Sequence, residues 1–249
     1  MTSKSSNSSF IAKPEKGSIT QGQYKNRKEI ESLIIPEKTE ILQADAFRNC
    51  RNLKEVKLPS TLIDIGSRCF EECSSLCTFT IHPDNPIYSA DQNMLLKNCG
   101  RLLVCAPGAR GHFTVKDSVR IIEDLAFSRC SDLLEIQLPD QLQYIGAGAF
   151  ARCSQLKEIR IPGSCRDVAD HCFEACSSLE HVILSEGIQN LGAHCFDGCS
   201  ALKTLRLPCS LQRIMEPLLD QDSPTVLQVY DHSFALDYVL SHDLPYQII

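Results

Sequence analysis

Tryptophan is missing from this chain of 249 residues, methionine occurs three times, and aromatic residues make up only 6% of the sequence. A hydrophobic content of 43% with so few large rings suits thin aliphatic layers better than a wide globular centre. An excess of positive charge is lacking too: 25 Lys and Arg face 31 Asp and Glu, a formal charge of −6. Without a cationic surface to meet phosphate backbones, nucleic acid is not an expected partner. No stretch approaches the ~20 apolar residues of a membrane span, so membrane insertion is not expected. Residues 1–20 are rich in Ser and Lys, with Phe10 and Ile11 the adjacent large apolar pair. They fall short of the run of about 7–15 apolar residues that a secretory signal requires, and they read as a disordered arm. The signatures G-x-x-x-x-G-K-[ST], G-x-G-x-x-G and H-E-x-x-H are absent, and no cofactor is expected.

Cysteine, by contrast, is abundant, with fourteen in the chain, and it is periodic. A phenylalanine is followed three residues later by cysteine at Phe47/Cys50, Phe70/Cys73, Phe127/Cys130, Phe150/Cys153, Phe173/Cys176 and Phe196/Cys199, with the aromatics 23, 57, 23, 23 and 23 residues apart. A repeat of this length has nothing to bury its apolar face against except the coils above and below it, so the period predicts one elongated solenoid domain.

The columns of the repeat sharpen this reading. Six residues after each Phe stands Leu (Leu53, Leu76, Leu133, Leu156, Leu179, Leu202), and apolar residues at the ninth and eleventh positions alternate as a strand does. Pro59, Pro139, Pro162 and Pro208 then end the strand by removing a backbone donor. The residue before each Phe is small: Ala46, Cys69, Ala126, Ala149, Cys172, Cys195. Cysteine and alanine exchange there, so cysteine behaves as a small buried apolar group, and the column three after Phe reads as a packed thiol whose S–H meets a backbone carbonyl. Stacked disulfides fit poorly, because coils ~4.8 Å apart with parallel Cβ vectors leave the Cβ atoms wider than the ~3.8 Å mean of real bridges. Free thiols, and hence a reducing compartment, are the expectation.

The unit L-x-x-I-x-I-P-x-x-L-x-x-I-G-x-x-A-F-x-x-C, cleanest from Leu133 to Cys153, resembles the leucine-rich repeat of the BspA-like family. The 57-residue interval resembles that family's extended repeat, an inserted hairpin over 85–107 with Asn98-Cys99-Gly100 near its turn. Tyr24 stands 23 before Phe47 and reads as a degenerate first coil, an N-terminal cap over 21–36. A C-terminal cap is expected over 225–249, with a strand at Val226 to Tyr230 and a short helix N-capped by Ser233. The resemblance covers residues 21–249. It implies a leucine-rich-repeat solenoid, a curved right-handed superhelix of ~23-residue coils with a parallel sheet on the concave face, short helical turns on the convex side and a protruding hairpin.

Several constellations invite a chemical reading. Cys69, Cys73 and Cys77 are spaced like half a zinc site, but the repeat sends the first two inward and the third outward, so no metal is expected. His171-Cys172 and His194-Cys195 occupy equivalent places in adjacent coils, which predicts stacked imidazoles on the outer turn beside buried thiols, not a Cys–His nucleophile. Asp231-His232-Ser233 spells triad letters, yet contiguous residues cannot build a nucleophile–base–orienter chain.

The outward residues of the strands form the surface that a partner would read. Eight after Phe come Glu55, Thr78, Glu135, Glu158, His181 and Thr204, and ten after come Lys57, Thr80, Gln137, Arg160, Ile183 and Arg206. Glu135 and Glu158 should stand side by side, a like-charge contact costing roughly a few tenths of a kcal/mol unless Lys157 and Arg160 screen it. This polar face nominates Lys57, Glu135, Gln137, Glu158, Arg160, His181 and Arg206 as partner-binding residues. The expected function is a non-catalytic module that binds a protein through the concave face or the hairpin. Surface adhesion is the role the resemblance implies, and an intracellular scaffold is the alternative; the missing signal and free thiols favour the cytoplasm over the cell surface.

Overall fold

The computed structural model describes residues 9–91, 93–97, 100, 102–220 and 223–249, with 102–104 described by their backbone alone. Residues 1–8 of the expected arm, and Asn98 and Cys99 of the expected hairpin turn, lie outside the described residues. The chain falls into two compact units, Met1–Cys99 with Cys105–Gly108, and Gly100–Val104 with Ala109–Ile249.

In the first unit, strands Phe10–Ile11, Ser32–Ile34, Glu55–Leu58 and Thr78–Ile81 pair in parallel, and Ser18–Ile19, Ile41–Leu42 and Asp64–Ile65 form a second ladder. Two features differ from the sequence expectation. The arm does not reach residue 20: Phe10 pairs with Leu33, Ser18 with Ile41, and the Phe10 ring meets Tyr24 edge-on at 5.2 Å. A further coil therefore precedes the one over 21–36, because a short apolar pair suffices once a strand below supplies its hydrogen bonds. In the hairpin, Tyr88–Asp91 runs antiparallel to Met94–Lys97, with Asp91 opposite Met94, and the strand Leu102–Cys105 follows, so Gly100 lies between the last two strands in the sequence. Tyr88, Met94, Leu95 and Leu96 are buried, which packs the hairpin down where a protruding arm was expected. Asn85 anchors its start: buried, it donates to the carbonyls of Pro59 and Leu62 and accepts from the amides of Ile87 and Tyr88.

The second unit stacks seven parallel strands: Gly111–Thr114, Leu133–Gln137, Glu158–Ile161, His181–Leu184, Thr204–Arg206, Val226–Val229 and Tyr246–Ile248. A second ladder runs through Ile121–Ile122, Tyr144–Ile145, Asp167–Val168, Asn190–Leu191 and Arg213–Ile214. Between the ladders every Leu of the sixth column is buried, as are the corner phenylalanines. Phe127, Phe150, Phe173 and Phe196 stack at 5.1, 5.5 and 5.6 Å with ring planes within 12°. The helix Phe234–Ser241 closes the stack, its first turn capped by the Ser233 hydroxyl, which accepts from the Leu236 amide at 3.1 Å.

The corners, expected as short helical turns, are turns punctuated by left-handed residues. Residues two before and two after each corner aromatic are left-handed: Asp45 and Asn49 about Phe47, Arg68 and Glu72 about Phe70, Leu125 and Arg129 about Phe127, His171 and Ala175 about Phe173. A left-handed residue every fourth position breaks the i→i−4 pattern of an α-helix and aims amides along the stack. Phe127 N–H donates to Ala149 O at 2.8 Å, Arg129 N–H to Ala151 O at 2.8 Å and Phe173 N–H to Cys195 O at 2.9 Å. The corner is thus a third intercoil ladder. Its bonds, each worth about 0.5–1.5 kcal/mol, offset a left-handed penalty of about 1–2 kcal/mol per non-glycine residue.

The column three after Phe packs under this corner. Cys73 donates to Phe47 O at 3.3 Å, Cys153 to Phe127 O at 3.2 Å, Cys176 to Phe150 O at 3.1 Å and Cys199 to Phe173 O at 3.1 Å. Each thiol ties its own coil to the Phe carbonyl of the coil before it. Every described cysteine is a free thiol, and only Cys77 and Cys209 are exposed. A maleimide pulse on folded protein, mapped by peptide mass spectrometry, is expected to modify these two quickly and Cys153 and Cys176 only after denaturation; rapid labelling of the latter pair would contradict the packing role.

Candidate protein-binding groove

In a parallel ladder with 23-residue coils, the outward positions of each strand repeat in register, so like positions form rows across the sheet. In the second unit, His112, Glu135, Glu158, His181 and Thr204 face one another in turn, and Arg160, Ile183, Arg206 and Gln228 form the neighbouring row. Above them lies a groove of about 880 Å³, lined among others by Glu135, Gln137, Glu158, Arg160, His181, Ile183, Arg206 and Tyr230. Six of the seven residues nominated from sequence thus come together. Lys57 does not: it stands between Ile34 and Thr80 in the first unit.

Glu135 and Glu158 are neighbours in register, as the spacing requires. Their expected screening by Lys157 and Arg160 gives way to another arrangement. His112 Nδ1 lies 2.6 Å from Glu135 Oε2 on one flank, and His181 follows Glu158 on the other, its Nδ1 2.8 Å from the Thr204 hydroxyl. Arg160 turns away, its Nε donating to Ser185 Oγ at 3.2 Å. Arg206 donates to the Tyr230 hydroxyl and lies 5.6 Å from the centre of that ring. His112 and Tyr230 were not nominated from sequence. His112 stands 23 residues before Glu135, so counting the period back from Glu135 finds it. Arg206 faces Gln228, 22 residues on and one short of the period, and Tyr230 follows two residues beyond Gln228, so the 23-residue count does not find it.

Elsewhere the histidines stack as expected: His171 and His194 lie 5.0 Å apart with planes 4° from parallel, each Nδ1 meeting a carboxylate, Glu174 at 3.2 Å and Asp197 at 2.7 Å. The adjacent thiols are the reverse of nucleophiles. Burial pushes Cys172 well above the ordinary thiol range and Cys195 up to about 12, whereas an attacking cysteine needs a lowered pKa and access. Ser233 of the triad-like run is spent on its cap, its hydroxyl donating to Tyr230 O at 2.7 Å.

The family model for BspA type leucine rich repeat regions matches in six copies over residues 17–102 and 111–223. Among solved structures, the pneumococcal vaccine antigen PcpA superposes with a TM-score of 0.78 over 93% of this chain at 19% identity. A leucine-rich repeat protein from Eubacterium ventriosum gives 0.65 over 81% at 18% identity, and a leucine rich cell surface protein from Faecalibacterium prausnitzii gives 0.60 over 80% at 25%. The chain spans 65%, 61% and 56% of those three chains, less than two thirds of each. No curated protein matches.

Proposed function

Because this chain belongs to the BspA-type leucine-rich repeat family, whose members are typically surface adhesion or protein-interaction proteins, we propose that it binds a protein partner through the groove over the second unit's strands and carries out no chemistry of its own. The groove itself carries this reading: its sheet face bears charges of both signs in register, an exposed isoleucine between two arginines, and a tyrosine at its end. Arg and Tyr are the residues on which binding energy concentrates. The groove's lining includes no cysteine among the described residues that form it, and its polar groups are set in rows, which suits recognition over a length of partner better than convergence on one reacting atom.

The test is a photo-crosslinking amino acid at Ile183, with the same residue at the exposed Tyr144 of the other ladder as control. Crosslinks to one discrete protein from Ile183, absent from Tyr144 and lost on adding Glu158→Lys with Arg160→Glu, are expected in cells that make the protein. The same crosslink pattern from both positions would sink the groove as the site. An impermeant thiol label on intact cells, reading the exposed Cys77 and Cys209, separates an adhesin from an intracellular scaffold: modification before lysis places the partner outside.

A further inference from the structure

The rows over the groove restrict the shape of what they can hold, and this step rests on the groove being the binding site. Arg160 and Arg206 flank Ile183 on consecutive strands. Neither guanidinium has a carboxylate partner among the described residues; Arg160 bonds only to Ser185 and Arg206 only to Tyr230. Both are therefore held in place by neutral oxygens with their charge uncompensated, the arrangement that leaves an arginine fork available for a carboxylate. Ile183, 40% exposed, lies midway. With strands ~4.8 Å apart, the two arginines are about 9–10 Å apart and the isoleucine about 5 Å from each.

An extended segment repeats its same-face side chains every ~6.6–6.8 Å, which matches neither interval. A helix advances ~1.5 Å per residue, so positions i, i+3 or i+4, and i+7 fall at about 0, 5 and 10 Å along one face, which matches both. The second row adds polarity across the groove. Glu135 and Glu158 sit two residues back along the strands that carry Gln137 and Arg160, within the ~10 Å width of a helix, and they call for basic residues on that flank.

We propose that the groove receives an amphipathic helix of a partner protein lying across the strands, with acidic residues at i and i+7 on Arg206 and Arg160, an apolar residue between them on Ile183, and Lys or Arg on the flank toward Glu135 and Glu158. The helix and not the protein's identity is what the row spacing selects.

Two displayed libraries test it against the intact chain: a three-turn helical scaffold randomised on one face, and extended peptides of the same length held open by proline. Selection from the helical library is expected to enrich Asp or Glu at positions seven apart with an apolar residue between. The selected helix is expected to bind about tenfold or more weakly to Arg160→Gln and again to Arg206→Gln, the range for a hydrogen-bonded charge. Both side chains reach the surface, and unchanged thermal melting of the variants confirms that only binding was altered. Basic residues enriched at those two positions, or binding indifferent to both substitutions, would overturn the proposal. If only extended peptides give binders sensitive to Arg160→Gln, the groove stands as the site and the helix falls. If neither library gives binders sensitive to either substitution, the groove falls with it.

Discussion

Replacing Phe150 by alanine is expected to destabilise the second unit by about 3–5 kcal/mol from lost burial and the cavity left behind, and by a further ~0.5–1.5 kcal/mol for each lost ring contact. The ring is fully buried between Phe127 at 5.1 Å and Phe173 at 5.5 Å. Phe150 belongs to the corner ladder, its amide donating to Cys172 O at 2.9 Å, and the left-handed residues on either side, Gly148 and Arg152, fix the corner so that it cannot collapse to fill the gap. In a stacked array, stability is close to a sum of coil and nearest-neighbour terms. Phe196 stacks on Phe173 alone among the corner rings, so Phe196→Ala should cost less by about one ring contact. Urea unfolding followed by tyrosine fluorescence and circular dichroism measures both variants. Equal losses for the interior and the end ring would show that the stack is not a nearest-neighbour column and that the corner phenylalanines act independently.

How much of this was legible in the sequence depends on whether a position carries a residue type that the structure demands. The corner phenylalanine, the leucine six later and the cysteine three later are demanded by burial, and they recur without fail in all six coils, so period, strand placement and the interior of the stack could be read directly. The left-handed corner could not. Its positions hold Asp45, Arg68, Leu125 and His171 in one column and Asn49, Glu72, Arg152 and Ala175 in the other, and Arg, Leu and Glu announce no preference for positive φ. The neighbouring coil's carbonyls impose that conformation, and a long-range cause leaves no local mark. Phe10–Ile11 was hidden for another reason. Two apolar residues make no pattern by themselves, yet Phe10 stands 23 before Leu33 and Ile19 stands 23 before Leu42, so the period was present where the composition looked like an arm. In the groove, the rows were readable because register follows from the period, while the pairing of each charge was not: His112 and Ser185, not Lys157 or a neighbouring arginine, decide where Glu135 and Arg160 point.

The thiol-lined interior has a consequence for pH that is as large as the loss of a core ring. Burial raises Cys50 to about 11 and Cys130, Cys165 and Cys195 to about 12, and pushes Cys69, Cys73, Cys153, Cys172 and Cys199 up as well. In the unfolded chain these thiols ionise near about pH 8.5–9. Below that value both states hold the proton and the thiols contribute no pH dependence. Above it the unfolded chain releases protons that the folded chain retains, so the unfolded state binds fewer protons and stability falls as pH rises. The loss continues until the folded thiol itself titrates, at about 11 for Cys50 and about 12 for Cys130. Each such thiol costs ~1.4 kcal/mol per pH unit across its window. Cys50, Cys130, Cys165 and Cys195 alone reach ~5–6 kcal/mol per unit, against a total stability of ~5–15 kcal/mol for a typical fold. The protein kept reduced is therefore expected to unfold cooperatively within about one to two pH units above 9, seen as a steep fall of the urea midpoint between pH 8 and 11. Alkaline loss of lysine charge and tyrosine ionisation act on any protein, so the slope must be tied to the thiols. Cys172 and Cys195 occupy the column where other coils carry Ala126 and Ala149, and replacing both by alanine leaves that packing precedent intact. The double variant should lose about two protons' worth of slope, ~3 kcal/mol per pH unit, while its stability at pH 7 changes far less. An unchanged slope would mean that the buried thiols do not govern the alkaline limit of this fold.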